Sequence, residues 1–306
     1  MALLQGGDFK EGWREFEWRW QTDHFAHIRR AWSKPQWDGR ALGGETVLVH
    51  HEQGYGDTIQ FSRYLPLIAD RGGRVVVECP DALVGIVETV SGVDAVVRSD
   101  DQSVEYDFHV PMMSLPGVFS TTFDNLPDSV PYLLAPEAER ARWSERLGED
   151  GGKRIGLVWK GNTAHARNQW RSPGLRAFLS VLGNPDYTFY SLQKDEAPED
   201  LRALGLTDRV RDLSGDLTTF SDTAGVIAKL DLVIAPDTAV AHLAGALAAP
   251  VWLLLPHVPE WRWFEDRDDS PWYPTMRVFR QPRPGDWRAV FDQAAQQLGA
   301  FGEHNR

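Results

Sequence analysis

The chain alternates short apolar runs with segments in which apolar residues recur every three or four positions. Short apolar runs predict buried strands, and the longer period predicts amphipathic helices. The predicted strands are 46–50, 74–78, 106–110, 154–159, 188–192, 230–234 and 251–255. The predicted helices are 58–69, 81–90, 137–147, 173–182, 219–228, 239–248 and 287–298. Strands that alternate with helices in this way predict parallel sheets with both faces covered.

Two interruptions divide the pattern. Residues 33–44 contain Pro35 and three glycines, which is typical of a linker, and the Pro-bounded stretch 127–136 breaks the alternation before a helix leads to Gly151-Gly152. A length of 306 residues also favours two domains. We therefore expect three parts: an N-terminal helical segment at 1–35, a first α/β domain at 36–150 and a second at 151–306.

Residues 8–20 place aromatic side chains at spacings of three and four, which predicts a helix with an aromatic stripe. Such a stripe requires a partner. It either packs against the body of the protein or belongs to the end of a helical-repeat array. The spacing alone favours packing.

Composition narrows the function classes. The chain is 42% hydrophobic and 25% charged, contains no run of about 20 apolar residues, and lacks the features of a secretory signal, so we expect a soluble cytoplasmic protein. The formal charge of −12 opposes binding to a nucleic-acid backbone. The single cysteine, Cys79, follows a valine run and fits a buried apolar site.

Ligands of open parallel sheets bind beyond the carboxyl ends of the strands, and three loops lie at such ends. The first is 52–57, in which Gly54 and Gly56 allow close backbone approach. Asp57 begins the following helix and is either a helix cap or a base, and position alone favours the cap.

The second loop is 237–242, where amides at a helix start attract anions such as a diphosphate. His242 lies about one turn into that helix and is equally compatible with an anion contact and a structural role. The third is Lys160-Gly161-Asn162, with Arg167 and Arg171 close behind. It is either a phosphate cradle or a solvated basic loop.

Other chemistries find little support. The sequence has no His-x-x-x-His pair, cysteine cluster, Gly-x-Ser-x-Gly elbow or complete Gly-x-Gly-x-x-Gly fingerprint. The acidic run 265–269 includes Arg267 and favours a solvated, salt-bridged loop over a cation site. We therefore expect neither a metal nor a cofactor.

The run DTAVAHLAGALAAPVWLLLP at 237–256 resembles the signature of the heptosyltransferase-like family nine of the glycosyltransferases. Further runs resemble bacterial glycosyltransferase domains that are fused behind tetratricopeptide repeats, and together they extend over nearly the whole chain. They are EQGYGDTIQFSRYLP at 52–66, IGLVWKGN at 155–162, SLQK at 191–194 and DSPWYPTMRVFRQ at 269–281. The first 20 residues resemble the last helix of such a repeat array, which implies an upstream repeat domain.

The resemblance implies a GT-B fold, in which two Rossmann-like domains with parallel sheets face each other across a cleft. It also implies inverting, metal-independent transfer from a nucleotide-sugar, with Asp57 as the general base. The implied donor phosphate-binding residues are Lys160, Asn162, Arg171, Thr238, Ala239 and His242. Gln193, Lys194 and Asp237 are implied near the donor sugar or nucleoside, and Gln53, Gly54, Gly56, Gln60 and Arg63 on the acceptor side.

Two departures from the heptosyltransferase pattern leave the donor open. Ala239 replaces the usual glycine, and the Lys-x-Trp-Pro element is matched only loosely, at 170–173. The repeat-like start favours a protein acceptor, such as a flagellin-like surface protein. The alternatives are a non-catalytic nucleotide-sugar-binding scaffold and a heptosyltransferase of lipopolysaccharide assembly.

Overall fold

The computed structural model describes residues 1–23, 25, 29–99, 101, 103–148, 152–164 and 167–301. The chain divides into two compact units. Unit 1 comprises Met1–Leu134 together with Glu260–Phe264, and unit 2 comprises Ala135–Pro259 together with Glu265–Arg306. Each unit contains one parallel sheet.

Unit 1 is built on a four-stranded sheet with the order β3-β2-β1-β4. Its strands are β1 (Thr46–His50), β2 (Arg74–Cys79), β3 (Ala95–Arg98) and β4 (Phe108–Pro111). Its helices are α1 (Ala2–Gln5), α2 (Phe9–Phe16), α3 (Tyr55–Phe61), α4 (Leu65–Ala69), α5 (Val84–Val87) and α6 (Leu115–Val118). The valine-rich residues of β1 and β2 are buried, as expected of a parallel sheet covered by helices.

Unit 2 is built on a six-stranded parallel sheet with the order β10-β9-β8-β5-β6-β7. Its strands are β5 (Lys153–Leu157), β6 (Tyr187–Ser191), β7 (Val210–Asp212), β8 (Leu232–Pro236), β9 (Val251–Leu255) and β10 (Met276–Arg280). Its helices are α7 (Glu137–Leu147), α8 (Asn168–Arg171), α9 (Leu179–Leu182), α10 (Ala197–Ala203), α11 (Phe220–Ile227), α12 (Ala239–Ala246) and α13 (Trp287–Phe301).

The expectation of two α/β units with parallel sheets is confirmed. The predicted helix at 58–69 is wrong in detail, because the chain forms α3, a 3₁₀ turn at Ser62–Tyr64 and then α4. Pro66 explains the break: proline has no N–H to donate to the carbonyl of Ser62, four residues earlier. The apolar pattern also missed β3, β7 and β10.

Helix α7 packs within unit 2 against α11. The helices approach closely at Gly225, where a Cβ atom would lie 2.6 Å from Cδ1 of Trp143. Contacts therefore divide the chain before α7, between Leu134 and Ala135, whereas the sequence pattern placed the boundary after it, at 150.

The aromatic stripe of α2 packs inside unit 1. Trp13 is buried and meets Trp261 edge to face, with 5.4 Å between the ring centroids. No helix in the described part of the chain combines the length and the apolar character that a membrane span requires.

Candidate functional site

The loop after β1 is fixed to unit 1 by Glu52. This buried carboxylate accepts two hydrogen bonds from Arg19, at 2.7 and 2.9 Å, and one from the backbone N–H of Met113 at 3.0 Å. Burial raises the pKa of Glu52, and the bonds from Arg19 oppose that rise. The ion pair therefore holds the start of the loop in place.

Asp57 is the third residue of α3, and both of its carboxylate oxygens have partners. Oδ2 accepts the backbone N–H of Gly54 at 2.9 Å, and Oδ1 accepts Nη2 of Arg262 at 2.6 Å. The capping role is therefore real, but one oxygen also forms an ion pair with a residue 205 positions away. No local sequence signal could have identified Arg262.

His51 is a second titratable group at this loop, and the sequence patterns did not single it out. Its Nδ1 lies 2.6 Å from Oγ1 of Thr58. Burial lowers the pKa of His51, and the nearby charge of Asp57 opposes this effect. Asp57 is therefore bordered by a histidine that favours the neutral form.

The expected acceptor-side residues divide into two kinds. Gln60 is fully buried, and neither polar atom of its amide has a partner in the described structure; the same holds for Nε2 of Gln53. Arg63, in contrast, donates to the carbonyls of Gln60 and Pro127 at 2.8 and 3.0 Å and to the hydroxyl of Tyr132 at 3.1 Å. These bonds explain the position of the Arg63 guanidinium without a bound ligand.

In unit 2, Gln193 and Lys160 lie together at the ends of β6 and β5. Oε1 of Gln193 accepts the backbone N–H groups of Trp159 and Lys160, at 3.2 and 3.0 Å. The Lys160 ammonium is paired with Glu196 and, at 3.2 Å, with Asp200. Burial lowers the pKa of Lys160, but these two carboxylates outweigh it and raise the pKa overall.

Two other expected residues near these strand ends have local partners. The Lys194 ammonium donates to the carbonyl of Leu217. Asn162 is exposed, and its Oδ1 accepts the backbone N–H of Ala164 at 2.9 Å. The next two residues after Lys194, Asp195 and Glu196, have positive φ angles of 52° and 39°. Such backbone strain is common near functional sites.

Arg171 is brought to the start of α12. Its Nη1 donates to the carbonyl of Asp237 at 2.9 Å, while its Nε has no partner among the described residues. The hydroxyl of Thr238, the residue before α12, is likewise buried without a partner in that part of the chain. A guanidinium, a hydroxyl and the amides of Thr238 and Ala239 therefore meet at one helix start, an arrangement suited to an anion.

His242 is buried inside α12 rather than directed to solvent. Its Nδ1 lies 2.8 Å from the hydroxyl of Tyr273, and its Nε2 lies 3.6 Å from Oδ1 of Asp237. Tyr273 belongs to the motif at 269–281, yet the sequence did not identify it as a site residue. Because β5, β6 and β8 lie in one parallel sheet, the residues that follow them share one sheet edge.

Within the residues that the structure describes, no group of three or more His, Cys, Asp or Glu could hold a metal ion. The residues described above offer two kinds of chemistry. Unit 1 presents a fixed carboxylate, which can accept a proton. Unit 2 presents helix amides, Arg171 and Lys160, which can bind an anionic group.

Residues 126–255 match the family model "Glycosyltransferase family 9 (heptosyltransferase)". This match supports the glycosyltransferase family 9 domain that the motifs indicated, and with it a glycosyltransferase. Protein FlbA of Caulobacter vibrioides is 26% identical over 325 residues, which cover 98% of this chain and 54% of that protein. The chain thus spans about half the length of this curated relative.

Solved structures show the same fold. The E. coli ADP-heptose lps heptosyltransferase II matches with a TM-score of 0.61 and 15% identity, over 84% of this chain and 98% of that chain. The E. coli glycosyltransferase TibC, described as iron-containing and dodecameric, matches with a TM-score of 0.55 and 12% identity, over 86% of this chain and 76% of that chain. At these identities the likeness establishes the GT-B heptosyltransferase fold alone.

Proposed function

We propose that the chain is an inverting glycosyltransferase that moves a sugar from a nucleotide-activated donor to an acceptor hydroxyl without a bound metal ion. The observation that supports this most is the pair of complementary sites on a glycosyltransferase fold. One is a carboxylate fixed at both oxygens. The other is a helix start where the hydroxyl of Thr238 and Nε of Arg171 are both without a hydrogen-bond partner among the described residues.

Unit 2 binds the donor in this proposal. The amides of Thr238 and Ala239, the side chain of Arg171 and the ammonium of Lys160 hold the diphosphate and stabilise the charge that develops as it leaves. His242 acts through Asp237 rather than by direct contact, because it is buried beneath the helix start.

The remaining donor residues have smaller roles. Gln193 shapes the turn that presents Lys160, and Lys194 supports the neighbouring backbone beside the nucleoside. Asn162 contacts the phosphates from an exposed turn. Lys160 must exchange Glu196 and Asp200 for phosphate oxygens when the donor binds.

Asp57 is the general base. Its carboxylate removes the proton of the acceptor hydroxyl while the hydroxyl oxygen attacks the anomeric carbon from the face opposite the diphosphate. One carbon–oxygen bond forms, the bond to the diphosphate breaks, and the anomeric configuration inverts. Gln53, Gly54, Gly56 and Gln60 border the acceptor. The amide of Gln60 is fully buried and has no partner among the described residues, so it is available to a buried water.

We further propose a protein acceptor, such as a flagellin-like surface protein, in the cytoplasm. The runs at 52–66, 155–162, 191–194 and 269–281, which resemble repeat-fused bacterial glycosyltransferase domains, support it. A lipopolysaccharide heptosyltransferase is the second candidate, because the E. coli enzyme of that description shares the fold. The same enzyme makes ADP-heptose the first donor to test.

Replacement of Asp57 by Asn tests the base. The change keeps the size of the side chain but removes its basicity, so release of the nucleotide leaving group should fall about 10²- to 10⁴-fold. The measurement is product release from ADP-, UDP-, GDP- and CMP-activated sugars, and calorimetry should show donor affinity within about threefold of wild type.

Asp81→Asn is the matched control, since Asp81 is also in unit 1 and also pairs with an arginine, Arg98. That variant should retain wild-type turnover. Retained turnover in Asp57→Asn would remove Asp57 from the base role. Donor binding without turnover by the wild-type protein on any acceptor would favour a non-catalytic scaffold.

A further inference from the structure

Residues 260–264, which we call the aromatic segment, lie between β9 and β10 in the sequence but belong to unit 1. Their sequence is Glu-Trp-Arg-Trp-Phe. The three aromatic side chains are buried, with Trp261 at 2% and Trp263 at 1% exposure. A connection between two strands of the unit 2 sheet does not have to pass through unit 1. The contacts that the aromatic segment makes in unit 1 must therefore explain its position.

The aromatic stripe of α2 holds this segment. The rings of Trp261 and Trp13 meet at nearly a right angle, with 5.4 Å between their centroids. The centroid of the Trp261 ring lies 6.5 Å from that of Phe16. Phe264 meets Phe9 at 6.2 Å, again edge to face. Edge-to-face pairs fix ring orientation as well as distance. The backbone between Trp261 and Phe264 is therefore anchored on both sides.

Arg262 lies between these anchors and points to Asp57. Its Nη2 donates to Oδ1 of Asp57 at 2.6 Å, and its side chain is only 9% exposed. The backbone N–H of Gly54 binds the other oxygen. Two donors on two oxygens fix the plane of the carboxylate, and each oxygen keeps a lone pair that can accept a proton.

We infer that Arg262 is a positioning residue for Asp57 and that α2 and the aromatic segment form the support that holds it. The inference rests on the proposed function, since it assigns a role to Arg262 in that reaction. Arg262 does not itself touch the sugar or the diphosphate. It holds the carboxylate in the orientation from which the acceptor proton is removed.

A neighbouring ion pair shows what distinguishes this one. Arg19 and Glu52 form a pair whose side chains are 5% and 1% exposed, so a ligand cannot reach it and its role is structural. The Asp57 side chain remains 17% exposed while its partner is nearly buried. A buried arginine that orients an accessible carboxylate is the arrangement that a positioned base requires.

The test compares Arg262→Gln and Arg262→Lys with wild type in release of the nucleotide product, which is a nucleoside diphosphate from ADP-heptose and the UDP- and GDP-sugars and CMP from CMP-sugars. Loss of orientation should lower kcat about 10²-fold in Arg262→Gln and leave KM for the donor within about twofold. Arg262→Lys restores a charged donor without the planar guanidinium and should recover about tenfold of the loss.

Arg30→Gln is the matched control, because it breaks the two-bond ion pair of Arg30 with Glu78, also in unit 1. Its kcat should stay within about twofold of wild type. Trp261→Leu removes part of the support, including the ring whose centroid lies 5.3 Å from Cζ of Arg262, and should lower kcat by about tenfold. Circular dichroism verifies that each variant is folded.

Wild-type kcat in both Arg262 variants overturns the inference and leaves the proposed function intact. An equal loss in Arg30→Gln also overturns it, because the effect is then one of general stability. No release from any of the nucleotide sugars by the wild-type protein overturns the proposed function, and the inference with it.

Discussion

Two histidines in the sheet of unit 1 show how burial sets a protonation state. His50 and His109 are 3% and 6% exposed, and Nε2 of His50 lies 3.3 Å from Nδ1 of His109. The ring of Trp32 stacks on both, with centroid distances of 4.3 and 4.4 Å. Burial lowers the pKa of His109 to about 4 and holds the pKa of His50 well below its usual value.

This pair predicts a loss of stability in mild acid. The folded pKa lies below the unfolded value near 6.5, so the unfolded chain binds more protons as pH falls. The free energy of unfolding should be highest above about pH 7 and should decrease as the pH falls from about 6.5 towards 4. At about pH 5.5, each histidine that stays neutral in the folded protein should lower the free energy of unfolding by about 1.4 kcal/mol compared with neutral pH.

Urea unfolding at about pH 7.5 and about pH 5.5 measures this loss. His109→Asn should show a smaller difference between the two pH values than wild type, even if it is less stable at both. His257→Asn alters an exposed histidine and should retain the full difference. An unchanged difference in His109→Asn would show that other groups cause the acid sensitivity.

Individual residues also show how far the sequence predicts a site. Strand ends and motif likeness indicated Asp57, Arg171 and Thr238, which lie in the structure beside sheet edges or helix starts, since those positions depend on local pattern. The partners of these residues could not be predicted in the same way. Arg262 and Tyr273 reach their sites through tertiary packing, and no periodicity in the sequence records which distant side chain fills a given space.

At the scale of elements, α12 depends on a close approach to Tyr273. A Cβ atom at Gly245 would lie 2.5 Å from Cδ1 of the Tyr273 ring, and this ring positions the hydroxyl that binds His242. Gly245 is therefore required by packing, because neither the ring nor the helix backbone has space for another carbon.

Gly245→Ala should destabilise the protein by about 1–3 kcal/mol through overpacking, although alanine is the better helix former. It should also weaken donor binding, since displacement of Tyr273 disturbs His242 beneath the helix start. Denaturant unfolding and calorimetry with ADP-heptose measure the two effects. Gly299→Ala in α13, where the added carbon meets open space, should be neutral or stabilising.

A helix or strand could be predicted from the sequence where its buried residues form a regular apolar pattern. β1 and β9 occupy the predicted residues because their apolar runs are buried throughout. β7 was missed because it has three residues and only Val210 is buried, so it leaves no recognisable alternation. β10 was missed because arginines occupy both its second and last positions.

At the scale of the whole molecule, charge opposes the function that the local sites favour. The formal charge is −12, and a nucleotide-sugar diphosphate is also an anion, so the overall field repels the donor. Of the two local cations that would offset this, Lys160 is already paired with Glu196 and Asp200, and Arg171 lies at the start of α12, where it acts by direct contact. Recognition must therefore depend on short-range contacts at α12 rather than on electrostatic steering.

This balance predicts an unusual response to salt. The Debye length falls from about 30 Å at 0.01 M to about 8 Å at 0.15 M, so added salt screens the distant repulsion more than the contacts at the helix start. KM for the donor should fall by roughly twofold to threefold over that range. Adenosine, which has no phosphate, should bind equally at both salt concentrations. A KM that rises steeply with salt would instead mean that exposed cations attract the donor, and Lys160 would then have to be free of its two carboxylates before the donor arrives.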